Sequence, residues 1–85
     1  MENNFWDKIV TIKWVDSYGV LAGWQDISEF APKMCVISSW GKVIYEDTNI
    51  LALAHNYAEA TNHTHLQANG IMVIPKVCIT EITVI

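Results

Sequence analysis

The sequence contains no arginine, and its five basic residues are all lysines: Lys8, Lys13, Lys33, Lys42 and Lys76. Nine carboxylates outnumber them, for a formal net charge of −4. Tight binding to a nucleic-acid backbone depends on neutralising phosphates, and arginine forks are the side chains best shaped for it. A long DNA or RNA partner is therefore not expected. The chain also has no glycine-rich phosphate loop. No apolar run approaches the roughly 20 residues that a membrane-crossing helix needs, so no membrane partner is expected. Only two cysteines occur, Cys35 and Cys78, and each sits inside an apolar run without the spacing of a disulfide framework. They read as free thiols acting as small hydrophobic groups. With the polar, acidic start MENNFWDK, which does not resemble a secretory leader, they place the chain in a reducing cytosol.

The chemistry of common enzymes is equally hard to find. Ser17, Ser28, Ser38 and Ser39 lie near no recognisable nucleophile elbow, and neither cysteine has a local histidine signature. His63 and His65 form a lone His-x-His, with His55 upstream. Zinc needs three or four ligands, so these read as solvated loop histidines and no metal site is expected. No catalytic residue and no cofactor is assigned, and the chain is expected to be non-enzymatic.

What the sequence does have is apolar material: 52% of 85 residues. One core is all that so short a chain can build. A hydrophobic share this high predicts a single domain, 1–85, with part of its apolar surface covered by other copies in a homo-oligomer.

Strand patterns dominate. Ile9 to Asp16 alternates, with Val10, Ile12 and Trp14 on one face and Thr11 and Lys13 on the other. A turn-rich stretch through Gly19 and Gly23 leads to Asp26, placed to cap a helical turn that carries Ile27 and Phe30 inward before Pro32 stops it. Met34 to Glu46 reads as one long strand bent at Gly41. Glu46-Asp47-Thr48-Asn49 is a turn whose side chains bond their own backbone, and a hairpin partner follows from Ile50 to about Tyr57. Ala58 to Asn69 is polar and patternless, with room for a helical turn near Ala58 to Ala60. Gly70 opens an apolar strand that Pro75 ends, and Ile79 to Ile85 alternates again, with Thr80, Ile82 and Val84 on one side.

The glycine-led strand Gly70 to Ile74, the proline-initiated turn Pro75 to Cys78 and the steeply angled final strand resemble the last corner of SH3-like barrels. The long strand bent at Gly41 is similar to that of Sm-like proteins, which form rings by pairing edge strands. The resemblance implies an all-β fold: a small five-stranded SH3-like/Sm-like barrel with a short 3₁₀ turn before the last strand. The N-terminal helix usual in Sm-like proteins has no counterpart here, nor does the acidic, aromatic peptide-binding loop of signalling SH3 domains. The Lys13-Trp14 strand ending in Asp16-Ser17, Gly23-Trp24 before an acidic turn, and Ile74-Pro75-Lys76 also resemble short proteins encoded by bacteriophage genomes. That resemblance implies a phage accessory protein working in the host cytosol.

Four tryptophans in this length are many. Trp14 reads as core packing, whereas Trp24 and Trp40 stand beside Gly23 and Gly41, where the backbone leaves room for a planar ligand to stack. The loop contributes donors and acceptors with little charge: Asn62, His63, His65 and Asn69. These six residues are the candidate ligand-binding set. The function expected is sequestration of a small ligand, such as a nucleotide immune signal, as an anti-defence measure. The alternatives are a protein–protein inhibitor or adaptor of a host factor, and a minor structural oligomer.

Overall fold

The first and last strands lie side by side and the intervening chain runs as a meander. The computed structural model describes residues 4–85. Met1 to Asn3, where the polar start begins, lie outside the described residues. Five strands follow in order: β1 (Ile9–Asp16), β2 (Cys35–Glu46), β3 (Ile50–Ala58), β4 (Gln67–Pro75) and β5 (Ile79–Val84), with a 3₁₀ turn η1 (Lys76–Cys78) before β5. All pairs are antiparallel, in one sheet of order β4-β3-β2-β1-β5. The fold is thus all-β with five strands and the expected 3₁₀ turn. Among the described residues no ladder joins β4 to β5, so the sheet stays open where a barrel would close. No helix among these residues is long and apolar enough to cross a membrane.

β1 has the bounds its alternation predicts, and Val10 and Ile12 are fully buried with Trp14 packed beside them. Trp14 Nε1 donates to Ser39 Oγ at 3.1 Å, which satisfies the indole while its ring lies against the core. The core cluster joins Val10 and Ile12 of β1, Val43 of β2, Leu51 and Leu53 of β3 and Ile74 of β4. Strands at opposite parts of the sheet share this cluster, so the sheet folds over and its inner face meets itself. Burial of each such side chain contributes roughly 1.5–3 kcal/mol.

β2 is a single long strand. Cys35 to Lys42 pairs with β1 and Lys42 to Glu46 with β3. Gly41 permits the crossover: a Cβ there would stand 2.6 Å from the Ala54 carbonyl oxygen. The register irregularity lies further along, between Val43 and Tyr45. The turn after β2 is built on Asp47, whose Oδ1 accepts the amides of Asn49 (2.7 Å) and Ile50 (2.9 Å). Those two bonds, Ile50 first, hold its carboxyl below the usual aspartate value.

Beneath this turn lies a buried ion pair that the sequence did not announce. Lys76 Nζ meets Glu46 Oε2 at 2.8 Å, with the side chains only 5% and 2% exposed. Glu46 Oε1 accepts the Phe5 amide at 2.9 Å, and the Lys76 amide donates to the Asn49 carbonyl at 2.8 Å. The N-terminal segment, the β2–β3 turn and η1 are tied together there.

Three local expectations need correction. β3 and β4 pair as far as Ala58 with Gln67, so the loop spans residues 59–66, Asn69 is a strand residue and no helical turn forms at Ala58 to Ala60. Both faces of this outer ladder meet solvent, which removes the alternation that would mark it in the sequence. Asp26 does cap a turn, accepting the Ser28 amide (3.0 Å) and hydroxyl (2.7 Å), but Ile27 is 89% exposed and Phe30 is half-exposed. The turn projects from the sheet and has no core beneath it. In β5, Ile79 and Ile82 both pack on the core despite their odd spacing. A shift between Lys13 and Trp14 in the β1–β5 register moves Thr80 out of alternation, and its hydroxyl donates to the Lys13 carbonyl instead.

Candidate functional site

Beyond Gly41, β2 stays with β1 while β3 continues with β4, and the two strands part. The opening is a groove of about 400 Å³ lined by Ile9, Trp40, Gly41, Lys42, Ala54, His55 and Tyr57. Trp40 is 58% exposed on its wall. Two residues further along β2 the Lys42 ammonium sits 3.8 Å from the centre of the Tyr57 ring, a cation–π contact. Asp7 Oδ1 approaches the same ammonium at 3.0 Å, and that bond raises the Lys42 pKa above the usual lysine value. Asp7 reaches it from a left-handed backbone conformation (φ 65°), which aspartate tolerates better than most residues. The groove thus offers two aromatic rings, an imidazole and a lysine ammonium already paired with the Asp7 carboxylate. That combination suits stacking of a planar group, and an anion could reach the ammonium only in competition with Asp7.

Of the six residues expected at a ligand site, Trp40 alone lines this groove. Trp24 is fully exposed on the 17–34 loop. Asn62, His63 and His65 lie on the β3–β4 loop, all exposed. Thr61 organises that loop: its hydroxyl oxygen accepts the amides of His63 (3.1 Å) and Thr64 (3.0 Å). Asn69 borders a separate depression of about 280 Å³ with Asn56, Tyr57 and Gln67. Tyr57 is the one residue common to that depression and the groove. No group of three histidine, cysteine or acidic residues placed to hold a metal occurs among the described residues. Cys35 and Cys78 are free thiols, each half-buried.

Lys42, His55 and Tyr57 are the polar and aromatic groove residues that sequence reasoning missed, beside the apolar Ile9 and Ala54. No spacing links 40–42 to 55–57. The link is the β2–β3 register, which pairs Lys42 with Ala54 and leaves the following residues of β3 beside the aromatic wall.

A third surface surrounds the 17–34 loop. Its base is an apolar cleft of about 410 Å³ that includes Val15, Tyr18, Val20, Phe30, Pro32 and Met34. The Tyr18 hydroxyl donates to the Lys33 carbonyl and accepts the Lys33 amide, pinning the loop's two ends together.

Fold and groove together define an open all-β sheet protein with an aromatic recess that holds an ion-paired lysine. No protein-family model, curated protein or solved structure matches the chain.

Proposed function

We propose that this chain is a non-enzymatic binding protein that sequesters a small, planar, weakly anionic ligand in the Trp40 groove. A nucleotide immune signal fits that description, and a phage accessory protein acting in the host cytosol would use such a site to blunt a defence response. The observation carrying this reading is Trp40 in a groove of about 400 Å³ with the Lys42 ammonium held over the Tyr57 ring. Aromatic faces stack a base whatever its identity, and Lys42 can meet a phosphate by exchanging its exposed Asp7 partner for it. The Asn62, His63 and His65 loop is not needed for this role.

The test is a thermal-shift screen of the purified chain against linear and cyclic nucleotides with one or two phosphates. A true ligand at 100 times its Kd adds about 2.7 kcal/mol to stability. Trp40→Ala should remove the shift and leave unliganded stability nearly unchanged. A ligand that stabilises both proteins equally would move the site elsewhere, and a screen with no hit would refute the reading.

A second reading, an adaptor or inhibitor of a host protein, is favoured by the apolar 17–34 loop, because exposed aromatic and aliphatic side chains are what interfaces bury. Pull-down with the wild type and with a loop-charged variant separates the two readings.

A further inference from the structure

The 17–34 loop is too apolar for water. Leu21 and Ile27 are each 89% exposed, Trp24 is fully exposed, Met34 is largely exposed, and Tyr18 and Phe30 are about half so. Only Asp26, Glu29 and Lys33 interrupt the run with charge. Among the described residues the loop's hydrogen bonds stay within residues 16–33, Tyr18 with Lys33, Ser28 and Glu29 donating to Asp26, Phe30 to Ile27 and Ser17 to Asp16, and Leu21, Trp24 and Ile27 belong to no part of the core cluster. An apolar surface this large, left uncovered among the described residues, calls for an intermolecular partner.

The whole molecule is likewise extended, in part through the outer β3–β4 ladder that meets solvent on both faces. Its accessible area is 6642 Å², whereas a compact monomer of this length exposes about 5100 Å². The radius of gyration is 17.0 Å against about 12 Å for a compact chain of this size.

We infer that the 17–34 loop docks against the same loop of a second copy, forming a two-fold dimer with Trp24 at its centre. Area decides in favour of a stable contact. Taking roughly 200 Å² for a large side chain, the six exposed residues named above present roughly 900 Å² per protomer, against about 800 Å² per partner in a standard stable interface. Composition decides in favour of a permanent contact over a transient one. Interfaces that form and dissociate are no more apolar than ordinary surface, whereas homodimer contacts approach the apolar character of a core. A copy is also present from synthesis onward, so the loop need never stand uncovered. A two-fold axis pairs the patch with itself and closes the assembly at two chains. This dimer is independent of the Trp40 groove and stands or falls without it.

Sedimentation equilibrium of the full chain at about 50 µM is the test. The wild type should run at the mass of two chains, and Trp24→Asp with Ile27→Asp should run at one while keeping a strand-type far-ultraviolet spectrum. Val77→Asp, at an exposed site on η1, should stay at two. A one-chain wild type, a two-chain double variant, or dissociation by Val77→Asp would each overturn the proposal. Amide exchange across residues 20–30 of the wild type, which needs no variant, should slow as concentration is raised through the association midpoint. Exchange that ignores concentration would overturn it as well.

Discussion

Replacing Lys76 with methionine should be among the most damaging single changes in this chain. Methionine matches the length of the lysine stem but carries no charge, so the substitution strips the cation from a Glu46 carboxylate that is 2% exposed and keeps the Phe5 amide as a donor. Removing one member of a buried ion pair typically costs about 3–5 kcal/mol, because the surviving charge is left desolvated. In a domain of this size each kcal/mol lowers Tm by about 4–8 °C, so the lower bound predicts a fall of at least roughly 12 °C. Urea unfolding followed by tryptophan fluorescence gives the free energy directly. With a slope of about 1 kcal/mol per molar urea, the midpoint should drop by roughly 3 M or the chain should be unfolded in buffer. The companion is the double substitution Glu46→Leu with Lys76→Met. Exchanging a whole buried pair for apolar groups is often neutral or better, so most of the loss should return, less about 1 kcal/mol for the unpartnered Phe5 amide. A loss below 1 kcal/mol in Lys76→Met would refute the reasoning, since the pair would then be solvated or dispensable.

Gly41→Ala puts a methyl group 2.6 Å from the Ala54 carbonyl oxygen, a backbone atom that cannot swing aside. A loss of about 1–3 kcal/mol, typical of overpacking, should appear in the same urea assay. Ile74→Ala empties a fully buried site and should cost about 2–5 kcal/mol, whereas Pro75→Glu, at an exposed strand end, should cost clearly less. Asp47 titrates below 3.8 in the fold because it accepts the Ile50 and Asn49 amides. Its stabilising contribution is therefore present above about pH 3.8 and is lost as pH falls through the lower folded value. Asp47→Asn should flatten that part of the stability profile measured from pH 5 down to 2.

The sequence was most legible where one face of a strand meets the core and the other meets water. β1 could be read residue by residue because Val10 and Ile12 are inside and Lys13 is outside. The Asp47 turn and the Pro75 corner were equally readable, since each rests on a residue whose local chemistry dictates its backbone. Legibility failed where burial does not alternate. Gln67, Ala68 and Asn69 extend β4 with no inner face to betray it. Ile27 and Phe30 have the composition of core residues but no core to enter. Lys76 looks like a surface lysine because burial of a cation depends on a partner thirty residues earlier in the chain. The groove was hidden for the same reason: Trp40 was suspected from its glycine neighbour, but Lys42, His55 and Tyr57 join it only through the pairing of β2 with β3.

The placement of β5 against β1 gives the chain order a meaning in time. During synthesis, β2, β3 and β4 can form their hairpins with immediate neighbours as they emerge. β1 cannot complete its pairing until β5 has been made. Lys76 likewise reaches Glu46 only after the β3–β4 hairpin has been traversed, so Glu46 waits as an unpaired carboxylate until η1 arrives. Contacts between sequence-distant segments are the slow ones, because the chain entropy of closing a long loop is spent before any contact forms. Folding should therefore finish with a late step in which β5 and η1 seat together, and a nascent chain stalled before Lys76 should carry a four-stranded sheet whose bare β1 edge waits for β5.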